Sequence, residues 1–178
     1  MTRFAPERRS APVEVRARGR RLEGYAALFG VRAQIGPTEE IIRQGAFTGS
    51  LSAGIDVLAL VDHDPGRLLA RTRSGTLRLS QDSTGLAFDL DLPDTMEGRD
   101  ILTLAERGDL GGMSFGFTVA PGGETRANGL RQLQALNLHE ISIVQAWPAY
   151  EGTTVQARSK GMRVLSLAHA RRYLEVMS

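Results

Sequence analysis

His63 and Ser114 are two residues whose side chains could do chemistry together, and each lies in or beside an apolar, strand-like run. A serine hydroxyl becomes a nucleophile at neutral pH when a neighbouring base takes its proton, and histidine suits that task. The pair therefore indicates nucleophilic catalysis, provided that the fold brings the two side chains together. Alone it is weak evidence, because a serine in a strand is more often a solvated hydroxyl.

The strand that carries Ser114 is predicted to have one bulky face and one nearly bare face. Across residues 112–119, bulky side chains alternate with small ones, and Ser114 falls on the bare face between Gly112 and Gly116. Glycines two residues away on either side would let a substrate backbone approach the hydroxyl closely. The alternative is that this face packs closely against another strand.

Further strands are predicted around His63 and later in the chain. Residues 57–62 are typical of a buried strand because both faces are largely apolar, and Asp64-Pro65 is predicted to make the turn that ends it. Residues 121–128 are rich in glycine, and we interpret them as an exposed loop. Residues 130–147 then return to extended structure.

A hairpin and a helix are predicted between those two regions. Residues 77–80 and 86–92 alternate apolar and polar side chains on either side of Asp82-Ser83-Thr84-Gly85, which predicts a β-hairpin. Thr95 is predicted to cap a helix that Gly108 ends. Other expected elements are strands near residues 13–15 and 22–29 and a short helix at 46–52.

The composition favours one globular domain, since 42% of the 178 residues are hydrophobic. Its elements predict an α+β, mainly β fold: a closed or strongly curved, mostly antiparallel barrel with peripheral helices.

The chain has no cysteine, so its core must hold it without disulfides. A formal net charge of +2, with arginines spread among acids, does not indicate nucleic-acid binding. We expect a soluble protein that is not exported and has no membrane partner, because no apolar run is long enough to span a bilayer and residues 1–17 are too rich in arginine for a secretory signal.

The two ends of the chain are predicted to differ from the central part, residues 12–157. Residues 1–11 mix proline, arginine and serine without periodicity, which predicts a flexible N-terminal tail. Residues 158–178 are predicted to form a C-terminal amphipathic helix. Its apolar face, which includes Val164, Leu165 and Leu174, could pack on the core, form a dimer interface or dock on a partner.

Seven short segments, spread from about Val13 to Thr154, carry a resemblance to a known family. They are Gly24-Tyr25-Ala26-Ala27-Leu28-Phe29; Glu40-Ile41-Ile42-Arg43-Gln44-Gly45-Ala46-Phe47 with Ser50-Leu51; Asp62-His63-Asp64-Pro65; Arg71-Thr72-Arg73-Ser74-Gly75-Thr76-Leu77; Leu92-Pro93-Asp94-Thr95; Gly112-Met113-Ser114-Phe115-Gly116-Phe117; and His139-Glu140-Ile141-Ser142-Ile143-Val144 with Pro148-Ala149-Tyr150. In this order and spacing they resemble the prohead maturation proteases of tailed bacteriophages.

The resemblance implies that residues 12–157 are a serine peptidase domain, similar in fold to the herpesvirus capsid assembly protease. Ser114 would attack a peptide carbonyl, and His63 would take its proton and later give it to the leaving amine. The third group falls on Glu140 by the family's pattern, whereas His139 could mimic the second histidine of the herpesvirus relatives. Adjacent residues of a strand face opposite ways, so only one of them can serve. We expect Glu140, because a carboxylate stabilises the imidazolium that forms.

Several other polar residues are candidates for a supporting role or for metal binding. Backbone amides near Ser114, or the side chain of Arg71, are candidates for stabilising the oxyanion. Asp62 and Asp64 flank His63, but they splay to opposite faces and no second histidine accompanies them at helical spacing, so no metal site is predicted. No cofactor is expected. His169 is interpreted as a solvated residue.

The function implied by the resemblance is that of a capsid maturation endopeptidase. Such an enzyme would act in the host bacterial cytoplasm, inside the immature capsid. It would cleave the scaffolding protein, or the scaffolding segment of the major capsid protein, and also itself, and it could self-associate. One alternative is a noncatalytic assembly module of the same fold. Another is an acyl hydrolase, although the Gly-x-Ser-x-Gly elbow of ordinary esterases is missing.

Overall fold

The computed structural model describes residues 6–11 and 15–146. Within them the chain forms two helices, α1 (Thr48–Ser52) and α2 (Met96–Arg107). The strands, in chain order, are β1 (Glu7–Ala11), β2 (Val15–Arg18), β3 (Arg21–Leu28), β4 (Arg32–Ile35), β5 (Thr38–Ile42), β6 (Leu58–Val61), β7 (Asp64–Arg71), β8 (Leu77–Gln81), β9 (Gly85–Asp91), β10 (Gly112–Val119), β11 (Glu124–Ala127), β12 (Leu130–Leu133) and β13 (Leu136–Val144). The predicted C-terminal helix, residues 158–178, lies outside the described residues.

The strands of the described residues divide among three sheets. The first has the order β1-β10-β13-β6-β7, the second β11-β12-β5-β4 and the third β2-β3-β9-β8. In these sheets the pairings of β5 with β12 and of β6 with β13 are parallel, and the other pairings are antiparallel. The parallel β6–β13 pairing matters most here, because it brings the end of β6, next to His63, beside the second half of β13.

The predicted mainly β fold is confirmed, but the predicted closed or strongly curved barrel is not: no sheet of the described residues closes. Closure needs the two edge strands of a sheet to pair with each other. In the first sheet those edges are β1 and β7, which do not pair within the described residues. Side-chain ion pairs instead join β1 to the second sheet, through Arg9 and Glu40. The likeness to the herpesvirus protease stays a prediction.

Residues 7–11, predicted as part of a flexible tail, form strand β1. The strand pairs antiparallel with β10, from Glu7 opposite Phe117 to Ala11 opposite Met113. Pairing of this kind satisfies backbone groups that a frayed terminus would leave to water. The prediction missed the strand because its order depends on partners more than 100 residues away.

The bulky face of β10 is held in the core, and this face sets the direction of Ser114. Met113, Phe115 and Phe117 are buried, and Phe47 packs edge-on against Phe115 with ring centroids 5.6 Å apart. Burying each such side chain contributes about 1.5–3 kcal/mol. A one-residue slip of β10 would move these side chains out of the core and onto the face that carries Ser114. The alternation therefore fixes Ser114 on the opposite face, as predicted.

The predicted hairpin and the longer helix are confirmed. β8 and β9 pair across the turn in which Asp82 Oδ1 accepts hydrogen bonds from the Thr84 and Gly85 amides. The Thr95 hydroxyl accepts from the Gly98 amide at 3.2 Å and caps α2, which ends at Gly108 in the left-handed conformation.

The loop predicted over residues 121–128 is wrong in its second half. β11 and β12 form a hairpin there, and Asn128-Gly129 makes its turn with φ values of 51° and 77°. Asn-Gly is a strong two-residue hairpin signal.

Candidate functional site

His63 lies in a two-residue turn between β6 and β7. Val61 pairs with Asp64, and the two residues between them, Asp62 and His63, have φ values of 50° and 61°. Left-handed backbone at two consecutive non-glycine residues is uncommon, although a type I′ hairpin requires it. The turn therefore comes two residues earlier than predicted, and Asp64 and Pro65 belong to β7. Residues held in such a conformation cluster at functional sites.

Contacts with the end of β13, the residue that follows it and β7 hold this turn in place. Asp62 donates its backbone N–H to the Ile143 carbonyl at 2.9 Å, and its Oδ1 accepts from the Gln145 amide at 3.0 Å. Its other oxygen pairs with Arg67 Nη1 at 3.0 Å. Asp62 thus positions the turn. Asp64 makes a local contact, in which its side chain accepts a hydrogen bond from the Gly66 amide.

The side chains of His63 and Glu140 are in direct contact. His63 Nδ1 lies 2.6 Å from Glu140 Oε1, and both side chains are largely buried, with 15% and 12% of their surface exposed. An ionised carboxylate can only accept a hydrogen bond, so Nδ1 carries the proton in this contact. Nε2 of the neutral imidazole then keeps its lone pair and can accept a proton from another group.

Ser142 completes this arrangement and was not singled out from the sequence. Its hydroxyl donates to Glu140 Oε2 at 2.6 Å and accepts from the His63 backbone N–H at 3.2 Å. One buried hydroxyl therefore holds both the carboxylate and the turn that bears the imidazole. The available signal was the alternation in the second half of β13, residues 140–144, where Glu140 and Ser142 are polar and the residues after each are apolar.

Ser114 lies on the strand next to these groups. It is directly opposite Ser142 in the β10–β13 register, so the two side chains share a face with Cβ atoms about 4.5–5.5 Å apart. Ser114 is fully buried, and its hydroxyl donates to the Arg9 carbonyl oxygen of β1 at 2.9 Å. The structure thus brings Ser114, His63 and Glu140 to one place, with the serine hydroxyl directed to β1.

Gly116 has a role that differs from the predicted one. The bare face of β10 was expected to admit a substrate backbone, but a Cβ on Gly116 would lie 2.4 Å from Glu140 Oε1. Gly116 is opposite Glu140 in the register. The missing side chain therefore makes room for the carboxylate that contacts His63.

The other sequence candidates lie away from these three residues. His139 lies at a register shift in β13, between the partners of Phe117 and Gly116, where strict alternation does not hold. It is exposed, and its Nε2 lies 3.0 Å from Thr118 Oγ1. Arg71 is opposite Leu58, roughly 10 Å along the hairpin from the His63 turn, and pairs with Asp56. His169 lies outside the described residues.

Comparisons with known proteins bear on the identity of this site. Residues 10–166 match the family described as caudovirus prohead serine protease. Searches among curated proteins and among solved structures gave no match. In the part of the chain that the structure describes, neither helix has the length and apolar character needed to cross a bilayer.

Proposed function

Because the chain belongs to the caudovirus prohead serine protease family, we propose that it is a capsid maturation endopeptidase with Ser114 as nucleophile, His63 as base and Glu140 as the orienting acid. The observation that carries this assignment is the 2.6 Å contact between His63 Nδ1 and Glu140 Oε1, on the strand next to Ser114. A base oriented by a third group beside a hydroxyl is the arrangement by which serine peptidases are recognised.

The reaction follows from the state of the imidazole. Glu140 holds the proton on Nδ1, so Nε2 takes the proton of Ser114 as Oγ bonds to the substrate carbonyl carbon. The carboxylate stabilises the imidazolium, which then protonates the leaving amine. For the first step the Ser114 hydroxyl must turn from the Arg9 carbonyl towards His63.

The substrates we propose are the scaffolding protein or the scaffolding segment of the major capsid protein, together with this chain itself. The reaction would take place in the host cytoplasm, inside the immature capsid. Endopeptidase chemistry is required because the cleaved segments are internal to, or fused with, structural proteins.

A second candidate function is a noncatalytic assembly module of the same fold. The observation that favours it is the complete burial of Ser114, with its hydroxyl engaged by β1. A module of this kind would bind capsid or scaffolding protein without shortening it.

The experiment that separates the two is coproduction with the capsid and scaffolding proteins of the same phage. The wild-type chain is expected to shorten one of them, and Ser114→Ala to slow the cleavage by a factor of about 10³ or more. Ser80→Ala is the matched control, since Ser80 is exposed on β8. Cleavage by Ser114→Ala at the wild-type rate would refute the assignment of Ser114 as the nucleophile. Binding without cleavage by the wild-type chain would favour the module.

A further inference from the structure

Neither backbone edge of β10, the strand that carries Ser114, is free. β13 pairs with one edge and β1 with the other. Peptide substrates commonly bind as an added strand on a sheet edge, where main-chain hydrogen bonds hold them. The edge beside Ser114 that could receive such a strand already holds residues 7–11 of this chain.

The outer edge of β1 is too far from Ser114 to serve instead. Paired strands lie about 4.8 Å apart, so a peptide added outside β1 would be about 10 Å from β10. The Ser114 hydroxyl already reaches a carbonyl oxygen in the inner position, that of Arg9 at 2.9 Å. β1 therefore occupies the position in which a substrate strand would place its carbonyl next to Ser114.

Five charged residues, which we call the β1 ion cluster, hold the strand there: Glu7, Arg9, Glu40, Glu124 and Arg131. Arg9 pairs with both oxygens of buried Glu40, at 2.6 and 2.9 Å. Glu7 accepts from buried Arg131 at 2.6 and 2.8 Å. The Arg9 guanidinium also lies 5.3 Å from the centroid of the Phe117 ring. Glu7 and Arg9, two residues apart on β1, thus each meet an opposite charge on the second sheet. Glu7 meets Arg131, and Arg9 meets Glu40.

Removal of β1 would leave these partners incompletely paired. Glu40 would keep a single cation, Arg131, at 2.9 Å. Arg131 would keep Glu40 and Glu124 but lose both of its bonds to Glu7. A buried charge that loses part of its pairing is stabilised less. A strand that replaces β1 is therefore favoured if it carries the same charges at the same spacing.

We propose that the β10 edge now covered by β1 is the peptide-binding edge of the site, and that Glu40 and Arg131 select extended substrate strands carrying an acid-x-arginine pattern. This rests on the proposed function, because it takes Ser114 as the nucleophile. β1 is then an intramolecular competitor of the substrate. A substrate strand enters as β1 leaves, and its carbonyl takes the place of the Arg9 carbonyl.

The first test measures peptide binding and needs no catalysis. A full-length Glu7→Gln/Arg9→Gln variant removes the cluster charges of β1 and leaves Glu40 and Arg131 intact. A fluorescent peptide of residues 6–12 is expected to bind this variant at least about tenfold more tightly than the wild type, in which β1 competes within the same molecule. The same peptide carrying Glu7→Arg and Arg9→Glu is the matched control, and it should bind at least about tenfold more weakly. Equal binding of the two peptides, or no binding, would overturn the proposal.

The second test measures access to Ser114 with a fluorophosphonate, from which a nucleophilic serine oxygen displaces fluoride. The labelling rate should rise with the population in which β1 is displaced, by about tenfold in the double variant. Glu7→Gln alone should give a smaller increase and guards against misfolding of the double variant. Arg32→Gln/Glu39→Gln removes an exposed ion pair of β4 and β5 and should leave the rate unchanged.

The outcomes separate this proposal from the proposed function. Equal labelling of the wild type and the double variant would show that β1 does not control access, and would overturn the proposal while leaving the peptidase assignment intact. Selective peptide binding with no labelling of Ser114 in any variant would support the binding edge and refute the nucleophile.

Discussion

Gly116 leaves the space that the Glu140 carboxylate occupies beside His63. The two residues are opposite each other on β10 and β13, and a Cβ at position 116 would be 2.4 Å from Glu140 Oε1. The carboxylate oxygen that meets this space is the one that contacts His63 Nδ1. The geometry of the candidate site therefore depends on an absent side chain on the strand that bears Ser114, the proposed nucleophile.

Gly116→Ala is expected to reduce kcat by about a hundredfold or more, because a displaced carboxylate no longer holds the imidazole in the required tautomer. Overpacking should also lower the free energy of unfolding by about 1–3 kcal/mol. Steady-state kinetics and thermal denaturation would measure the two effects. Gly49→Ala is the matched control, since a Cβ at that helical position meets nothing within 4 Å. Wild-type kinetics in Gly116→Ala would rule out this role.

Glu140→Gln and His139→Ala should have very different effects on cleavage. Glutamine keeps the size of the side chain but removes the charge that stabilises the imidazolium, so kcat should fall by about 10²–10⁴. His139 is exposed and contacts Thr118, and its loss should change kcat little. The comparison requires only the two kcat values under one set of conditions. The reverse ranking would assign the third position to histidine.

Ser142→Ala is expected to lower kcat with little change in KM, because Ser142 positions Glu140 and the His63 turn without touching the substrate. Loss of its hydrogen bond to a charged partner corresponds to about 1.5–3 kcal/mol, or roughly tenfold to a hundredfold in rate. Ser142→Thr, which keeps the hydroxyl, should restore part of the rate. Ser50→Ala is a control of equal burial: its hydroxyl bonds to Leu136 and Leu138 of β13. That variant should lose stability but not kcat. An equal fall in kcat for both alanine variants would make Ser142 merely structural.

The β1 ion cluster should weaken in acid. Hydrogen bonds from Arg131, and also from Arg9, lower the pKa of Glu7 from 4.5 to about 2 against the effect of burial. A carboxyl with a depressed folded-state pKa stabilises the fold fully above its unfolded value, and this contribution disappears as the pH falls through the folded value. Glu7→Gln should therefore destabilise the protein at pH 7 and have progressively less effect between about pH 4.5 and 2.

Denaturant titrations of the wild type and Glu7→Gln at several pH values would check this. The difference between the two proteins measures the effect of Glu7, because all other side chains are common to both. A difference that stays constant from pH 7 to 2 would contradict the expected coupling.

Local sequence patterns were sufficient for several features of the site. The period-two alternation of β10 placed Ser114 on the face opposite Met113, Phe115 and Phe117, because only one register puts those three side chains in the apolar core. In β13 the same argument is not sufficient, because a register shift at His139 interrupts the alternation next to Glu140. The cap at Thr95 and the end of α2 at Gly108 were also predictable, since both depend on neighbouring residues.

Other features were decided by the tertiary structure. β1 is ordered by β10 and by Glu40 and Arg131, which are distant in sequence, so its own composition predicted a tail. Gly116 makes room for a carboxylate only because Glu140 lies opposite it. That pairing exists only once β10 and β13 are in register. Ser142 likewise acquires its contacts when parallel pairing of β6 and β13 brings the His63 turn to it. Alternation along a strand specifies which face a side chain takes, whereas its neighbours on that face are set by strand order and register, which depend on contacts across the whole chain.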